Sequence, residues 1–165
     1  MAVREVLVYP DERLKQRCHV ADPASSATRE LVADLLDTMY AAGHSVGIAA
    51  PQIGADLRVA VVDVSHSKLG QKHNHGQLVL INPEILERSG SKTMREGCMS
   101  VPDYTGNVER AKEIVVQFLD GEGRDQVIRC KGFEAVAIQH ELDHLDGLLF
   151  LDRVSNPRTD VFKRK

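Results

Sequence analysis

The segment His140-Glu141-Leu142-Asp143-His144 constrains this chain more than any other, because it places two histidines four residues apart. In an α-helix, positions i and i+4 lie on one face, so both imidazoles can hold one metal ion. Glu141 lies one step round the helix, where a carboxylate can reach a water beside the metal without binding the metal itself. The motif therefore predicts a catalytic metal site on a helix.

The predicted helix at residues 133–145, ending at Gly147, is apolar on most sides. Such coverage predicts a central helix, which is a rigid support for ligands. The apolar residues are Phe133, Val136, Ala137, Ile138, Leu142 and Leu145.

The rest of the chain predicts one further helix and several strands. Apolar residues recur with helical spacing over 28–42, where Ser25, Ser26 and Thr28 are possible N-terminal caps. Strands are predicted at 57–64, at 77–82 with a stop at Pro83, and at 114–119 and 126–130 around a hairpin turn. With little βαβ alternation, this order predicts an α+β fold: strands wrapped around the central helix of the C-terminal half, and the N-terminal helix packed outside. The length fits a single domain, 1–165.

Composition restricts the cellular setting. The net charge of −3 argues against a nucleic-acid-binding surface, which is normally basic. Residues 1–10 contain Arg4 and Glu5 and no uninterrupted apolar core, and no later stretch is long enough to span a bilayer. Three cysteines without framework spacing indicate a reducing compartment. We therefore expect a cytoplasmic protein with neither a membrane nor a specific nucleic-acid partner.

Two histidines leave a catalytic metal one protein ligand short of the usual three. Cysteines, other histidines and carboxylates are all candidates, and Cys98 is favoured because it follows Gly97 and precedes Ser100 in a turn-like segment. Cys18 and Cys130 are better interpreted as small packed residues. A set of Cys98, His140 and His144 with one open position predicts a catalytic site.

Three segments together resemble the motifs of the peptide deformylase family: residues 47–52 (Gly-Ile-Ala-Ala-Pro-Gln), 96–100 (Glu-Gly-Cys-Met-Ser) and 139–144 (Gln-His-Glu-Leu-Asp-His). They occur in the family's order, and the resemblance covers nearly the whole chain. It implies removal of the N-formyl group from formylmethionine on nascent bacterial or organellar proteins. It also implies Fe²⁺ as the native metal, with Zn²⁺, Ni²⁺ or Co²⁺ as substitutes.

The resemblance assigns roles residue by residue. Cys98, His140 and His144 would bind the metal, and Glu141 would be the general base and acid. Gln52 and the backbone N–H of Met99 would hold the formyl oxygen, where fixed donors stabilise an oxyanion. The methionine pocket would be lined by Val46, Gly47, Met94, Phe133, Val136 and Ala137.

Departures from the family pattern leave several interpretations open. Ser45 stands where the family usually has glycine; it would cost about 1–2 kcal/mol if the backbone requires positive φ, and otherwise it narrows the cleft.

Glu96 and Arg110 form either a buried ion pair that steadies the Cys98 segment or a solvated pair. The polar insertion 65–76, with His66, His73 and His75, is expected to be a solvated loop.

The C-terminus also departs from the family pattern. The resemblance implies a C-terminal helix, short here because the sequence ends at Lys165, and in longer members this helix docks on the ribosome. The basic tail could serve the same purpose or be solvated. Its members are Arg158, Lys163, Arg164 and Lys165.

Other functions remain as alternatives. A zinc endopeptidase shares His-Glu-x-x-His but commonly takes a third His or Glu downstream. No His or Glu follows His144, although Asp146, Asp152 and Asp160 are conceivable. A closed structural metal site would give Glu141 and Gln52 no purpose. A catalytically impaired deformylase relative is the third alternative, on account of Ser45.

Overall fold

The structure, a computed structural model, describes residues 2–164. Within these residues the chain forms two α-helices and eight strands in antiparallel sheets, which confirms the predicted α+β class. Helix α1 spans Ser26–Ala41 and helix α2 spans Gly132–Leu145. The strands are, in chain order, β1 (Gly47–Ala49), β2 (Val59–Val62), β3 (Leu78–Ser89), β4 (Lys92–Cys98), β5 (Val101–Arg110), β6 (Glu113–Leu119), β7 (Asp125–Lys131) and β8 (Val161–Lys163).

The strands form one sheet of order β1-β2-β3-β6-β7 and a second of order β4-β5-β8. Strands β1 and β4 therefore each lie at the edge of a sheet. Helix α2 packs against β1, β2 and β7, and every residue from Glu134 to Leu145 is buried. The helix that carries the histidine motif is thus central, as its apolar coverage predicts.

Helix α1 begins at Ser26, two residues before the predicted start at Thr28. Its N-cap is Ser25, whose side chain accepts a hydrogen bond from the backbone N–H of Ala27. Its apolar face contains Leu31, Leu35 and Met39, which pack with residues of β1 and β2. The helix covers the edge of the five-stranded sheet from outside. Neither described helix has the length and apolar character that a bilayer crossing requires.

Strand β3 contradicts the prediction that Pro83 ends a strand, because it continues to Ser89. The register between β3 and β6 shifts between Ile81 and Glu84, and Asn82 has φ 52°. Proline is tolerated at such an irregularity, where a backbone N–H is not needed for the ladder. The Asn82 side chain also bonds both the N–H and the carbonyl of Ala21.

Four strands were not predicted: β1, β4, β5 and β8. Strands β4 and β5 carry many polar side chains, so their burial does not alternate as in a half-buried strand. The expected C-terminal helix is wrong, since β8 pairs with β5 through Phe162 and Thr105. A short polar ending gains more backbone hydrogen bonds from an existing edge than from an isolated helical turn. Lys165 lies outside the described residues.

Candidate active site

Three side chains converge where the edge of β4 meets helix α2. Cys98 ends β4, and His140 and His144 lie on one face of α2. Their ligand atoms all lie within 4.8 Å of one another, and Cys98 Sγ is 3.4 Å from His144 Nε2. A thiolate and two imidazoles suit a transition metal such as iron, zinc or nickel and leave a position for substrate.

A buried network of charged side chains orients His140. Glu96 accepts a hydrogen bond from His140 Nδ1 at 2.8 Å and two from Arg110, at 2.7 and 3.0 Å. Arg110 also donates to Asp143 at 2.7 Å. The solvated alternative for Glu96 and Arg110 is therefore wrong, because both are buried. With Nδ1 engaged, Nε2 of His140 is left to bind a metal.

Burial and charge shift the pKa values of these groups in different directions. Burial alone would raise the pKa of Glu96, but the hydrogen bonds from His140 and Arg110 outweigh it and lower that pKa. Burial lowers the pKa of His144 well below its usual value, and the neighbouring His140 adds to the effect. A neutral imidazole is the form that binds metal.

Glu141 is buried against β1 with no polar partner for one of its oxygens. Within residues 2–164, Glu141 Oε1 accepts no hydrogen bond. Burial raises the pKa of this carboxyl to about 7. Strand β1 approaches closely, because a Cβ added to Gly47 would lie 2.7 Å from Glu141 Oε2. Such a carboxylate is poised to exchange protons near neutral pH.

Gln52 points its amide toward Cys98, one of the candidate ligands, from the 3₁₀ turn Ala50–Ile53. Its Oε1 accepts from the backbone N–H of Ala49 at 2.9 Å, which fixes the orientation of the amide. Its Nε2 donates to Ser100 Oγ at 3.1 Å and to Cys98 Sγ at 3.4 Å. Met99 packs its side chain against the hydrophobic residues beneath α1, and it lines the cleft directly after Cys98.

A cleft of about 490 Å³ joins these residues. Its walls include all six residues of the expected methionine pocket: Val46, Gly47, Met94, Phe133, Val136 and Ala137. It also contains residues that sequence reasoning did not select: His44, Leu69, Arg95, Pro102 and Arg164. No local pattern marks these, because they reach the cleft from separate loops and strands.

Comparison with known proteins decides the family. The polypeptide deformylase family model matches residues 3–160. This chain belongs to that family. The peptide deformylase of Syntrophobacter fumaroxidans is 41% identical over 165 residues, covering 100% of this chain and 94% of that protein. The peptide deformylase of Xylella fastidiosa strain M12 is 44% identical over 168 residues, covering 100% and 95%.

Solved structures agree with this assignment. A crystal structure of a peptide deformylase from Legionella pneumophila has a TM-score of 0.84 and 40% identity, covering 93% of this chain and 87% of that one. The Ehrlichia chaffeensis peptide deformylase in complex with actinonin has a TM-score of 0.87 and 34% identity, covering 96% and 92%. This deformylase is thus a metal-dependent hydrolase that removes N-formyl groups from nascent peptides.

Ser45 introduces no backbone strain into this deformylase. Among the described non-glycine residues, only Asn82 has a positive φ. Ser45 Oγ donates to the carbonyl of Gly47 at 3.0 Å, and its own carbonyl lies 3.0 Å from His66 Nε2. The strain interpretation is therefore wrong, and Ser45 lines the cleft instead.

The insertion 65–76 of the deformylase is a largely exposed loop whose two ends are held by hydrogen bonds. His75 Nδ1 lies 2.6 Å from the buried carboxylate of Glu134, which also accepts from the His75 backbone N–H at 2.7 Å. Cys130 Sγ is 3.9 Å from the same ring nitrogen. These three residues form a second group with metal-ligand spacing, but their hydrogen bonds already satisfy the carboxylate. His66, His73 and His75 are all exposed, as expected for a solvated loop, and the hydrogen bonds of His66 with Ser45 and of His75 with Glu134 hold its two ends.

Proposed function

We propose that this chain hydrolyses the formamide bond of N-formylmethionyl peptides with Cys98, His140 and His144 holding one metal ion. The observation that carries the proposal is the buried Glu141 carboxylate, which lines the same cleft as Cys98 and His140 and has one oxygen without a hydrogen-bond partner among residues 2–164. A metal bound there acts as a Lewis acid and lowers the pKa of water. We propose Fe²⁺ as the native ion, with Zn²⁺, Ni²⁺ or Co²⁺ able to replace it.

Gln52 and Met99 stabilise the charge that develops on the formyl oxygen. The Gln52 amide is held by Ala49, so its orientation is fixed before substrate binds, and the formyl oxygen would replace Cys98 Sγ as the acceptor of one Nε2–H. The backbone N–H of Met99 is the second donor. Fixed donors of this kind act without reorganisation, and loss of one typically lowers kcat by about 10²–10³.

Glu141 moves the proton. Water adds to the formyl carbon and gives a proton to the Glu141 carboxylate. The carbon–nitrogen bond then breaks, and Glu141 returns the proton to the departing amine as formate leaves. A pKa of about 7 allows the same group to accept and to donate at neutral pH.

The peptide binds in extended form between two sheet edges. Strands β1 and β4 are both edge strands, and both contribute to the walls of the cleft through Gly47 and Gly97. Unpaired backbone groups at such edges can hydrogen-bond an added strand. The apolar walls then take the methionine side chain.

Nascent formylated peptides are the proposed partners, and the bacterial cytoplasm, where they arise, is the proposed location. The relatives compared above are bacterial deformylases, which supports this placement. Ribosome docking through the basic tail is a further proposal, supported by the exposure of Arg158 and Lys163.

The test is formate release from formyl-Met-Ala-Ser by the anaerobically purified, iron-loaded protein. The acetylated peptide is the control, because an endopeptidase would cleave both. Release from the formyl peptide alone supports the proposal. Cleavage of an internal peptide bond, or no release with one metal bound per chain, contradicts it. Parallel loading with nickel, cobalt and zinc ranks the metals.

A further inference from the structure

Two arginine side chains line the cleft and take no part in the chemistry above. Arg95 lies in β4 and Arg164 follows β8, and together we call them the arginine rim. We propose that the arginine rim binds a carboxylate on the second or third residue of the peptide substrate. This inference rests on the proposed deformylase function and concerns the residues that follow formylmethionine.

The C-terminal strand places the Arg164 side chain next to Gly97, the residue before Cys98. Its backbone N–H donates to the carbonyl of Asp103 at 2.7 Å, which continues the pairing of β8 with β5. Its guanidinium lies over Gly97, where an added Cβ would be 2.6 Å from Nη2. Gly97 immediately precedes Cys98, so the positive charge is one residue from a predicted ligand.

The same strand positions Arg95. The Cζ atom of Arg95 lies 3.7 Å from the centre of the Phe162 ring in β8. A cation–π contact holds the guanidinium in place without neutralising its charge. Strand β8 therefore fixes one arginine through its backbone and the other through an aromatic side chain.

Both charges are available to a ligand. Neither guanidinium has a hydrogen bond or ion pair with any residue from 2 to 164. The cleft carboxylate Glu96 is already bound by Arg110 and His140, and Glu141 is the proposed base. In a chain of net charge −3, the rim is thus a local excess of positive charge in a partly apolar cleft.

Carboxylate is the chemistry that suits this rim. A guanidinium binds a carboxylate through two parallel N–H donors, a geometry that a neutral amide cannot match. An extended peptide advances about 3.3 Å per residue. When the formyl carbon is at the ligands, the second or third residue therefore lies near Gly97 and the rim.

The test compares matched peptides with the metal-loaded, full-length protein. Formyl-Met-Asp-Ala-amide and formyl-Met-Ala-Asp-amide are measured against their Asn counterparts, and the amides remove the terminal charge. We expect KM to be about fivefold lower for one Asp peptide, with kcat unchanged, and the difference to shrink as salt rises. Formyl-Met-Ala-Ser with a free or amidated terminus tests the terminal carboxylate as the alternative source.

Variants assign the effect to the rim. Arg164→Ala should abolish the Asp preference, Arg164→Lys should keep part of it, and Arg158→Ala, an exposed arginine outside the cleft, should leave it unchanged. Equal KM for Asp and Asn peptides in the wild type, an equal loss for both with Arg164→Ala, or a preference confined to the free terminus would each overturn the proposal.

Calorimetric binding of the same peptides separates this inference from the proposed function, because it needs no turnover. Tighter binding of an Asp peptide without formate release would support the rim while contradicting deformylation. Formate release with equal affinity for Asp and Asn peptides would support deformylation while contradicting the arginine rim.

Discussion

Glu141 is the side chain on which the proposed chemistry depends most directly. Its carboxylate is buried and lines the cleft with Cys98 and His140 without belonging to the proposed ligand set. We predict that Glu141→Ala lowers kcat for formate release by at least about 10², because proton transfer is lost. Metal content, measured by elemental analysis, should remain one ion per chain. Retained turnover would show that another group moves the proton.

Gly47 leaves no space for a side chain next to Glu141. A Cβ there would lie 2.7 Å from Oε2 and 3.0 Å from Cγ of Glu141, so the carboxylate would have to move. Since misplacement by about 1 Å can cost 10²-fold in rate, we predict that Gly47→Ala lowers kcat by about that factor. Thermal unfolding should change little, because the displaced group is a flexible side-chain end.

Gly121→Ala is the matched control for this prediction. A Cβ at Gly121 would meet Val79 at 3.8 Å, which is ordinary van der Waals contact. Both kcat and the unfolding temperature should remain near wild type. An unchanged kcat in Gly47→Ala would mean that the carboxylate has room that the structure does not indicate.

Arg110 connects β5 to two buried carboxylates, Glu96 on β4 and Asp143 on α2. We predict that Arg110→Met lowers the free energy of unfolding by about 3 kcal/mol, because it leaves buried charge without its partner. Metal affinity should fall about 10–100-fold, since Glu96 orients His140. Urea unfolding of the metal-free protein and chelator competition measure the two effects.

Arg153→Met provides the comparison. Arg153 also donates to Asp143, at 2.9 Å, but its side chain is 48% exposed and Asp143 keeps Arg110. The expected loss is below about 1 kcal/mol. Equal losses for the two variants would contradict the central place given to Arg110.

At the scale of elements, Asp63 joins helix α1 to the segment after β2. It accepts from Tyr40 Oη at 2.7 Å and from the Ser65 hydroxyl at 2.6 Å. Burial would raise the pKa of Asp63, but these hydrogen bonds outweigh it and lower the pKa below its usual value. A lowered folded-state pKa contributes stability above the unfolded pKa of about 3.9, which is lost as pH falls further.

We therefore predict that Asp63→Asn lowers the unfolding free energy by about 1 kcal/mol at pH 7. The difference from wild type should shrink as pH falls from about 5 towards 3. Urea unfolding of the metal-free proteins measures this without a contribution from metal release. Asp37 is an exposed residue of helix α1, so Asp37→Asn should match the wild type at pH 7. A gap between wild type and Asp63→Asn that does not narrow between about pH 5 and about pH 3 would contradict the explanation.

At the scale of the whole molecule, the proposed ligand set joins the two sheets. Cys98 belongs to the three-stranded sheet, and the two histidines belong to the helix packed on the five-stranded sheet. Because only the folded chain brings them together, metal binding should stabilise it by about 2.7 kcal/mol at a free metal concentration of 100 Kd. We predict that chelation lowers the unfolding temperature by about 5–10 °C.

Cys98→Ala tests whether a metal held by Cys98, His140 and His144 is the cause of this stabilisation. This variant should unfold at nearly the same temperature with and without chelator, as measured by scanning calorimetry. A chelator response equal to that of the wild type would place the stabilising metal elsewhere, for example at His75, Cys130 and Glu134.

The sequence by itself determined the parts of this protein that depend on local spacing. Helices α1 and α2 follow from apolar residues at helical intervals, and the shared face of His140 and His144 follows from a spacing of four. The three motifs also sufficed to identify the family. The predicted strands 114–119 and 126–130 correspond to β6 and β7 because their hairpin turn is local.

Only the tertiary structure decided how distant segments meet. Strands β4, β5 and β8 are stabilised by pairing with one another rather than by their own apolar pattern, so their sequences did not reveal them. The links from Glu96 to His140, from Gly47 to Glu141 and from Arg164 to Gly97 are long-range contacts. Sequence spacing specifies which face of a helix a residue occupies. Which other element packs against that face depends on how the sheets and helices pack together.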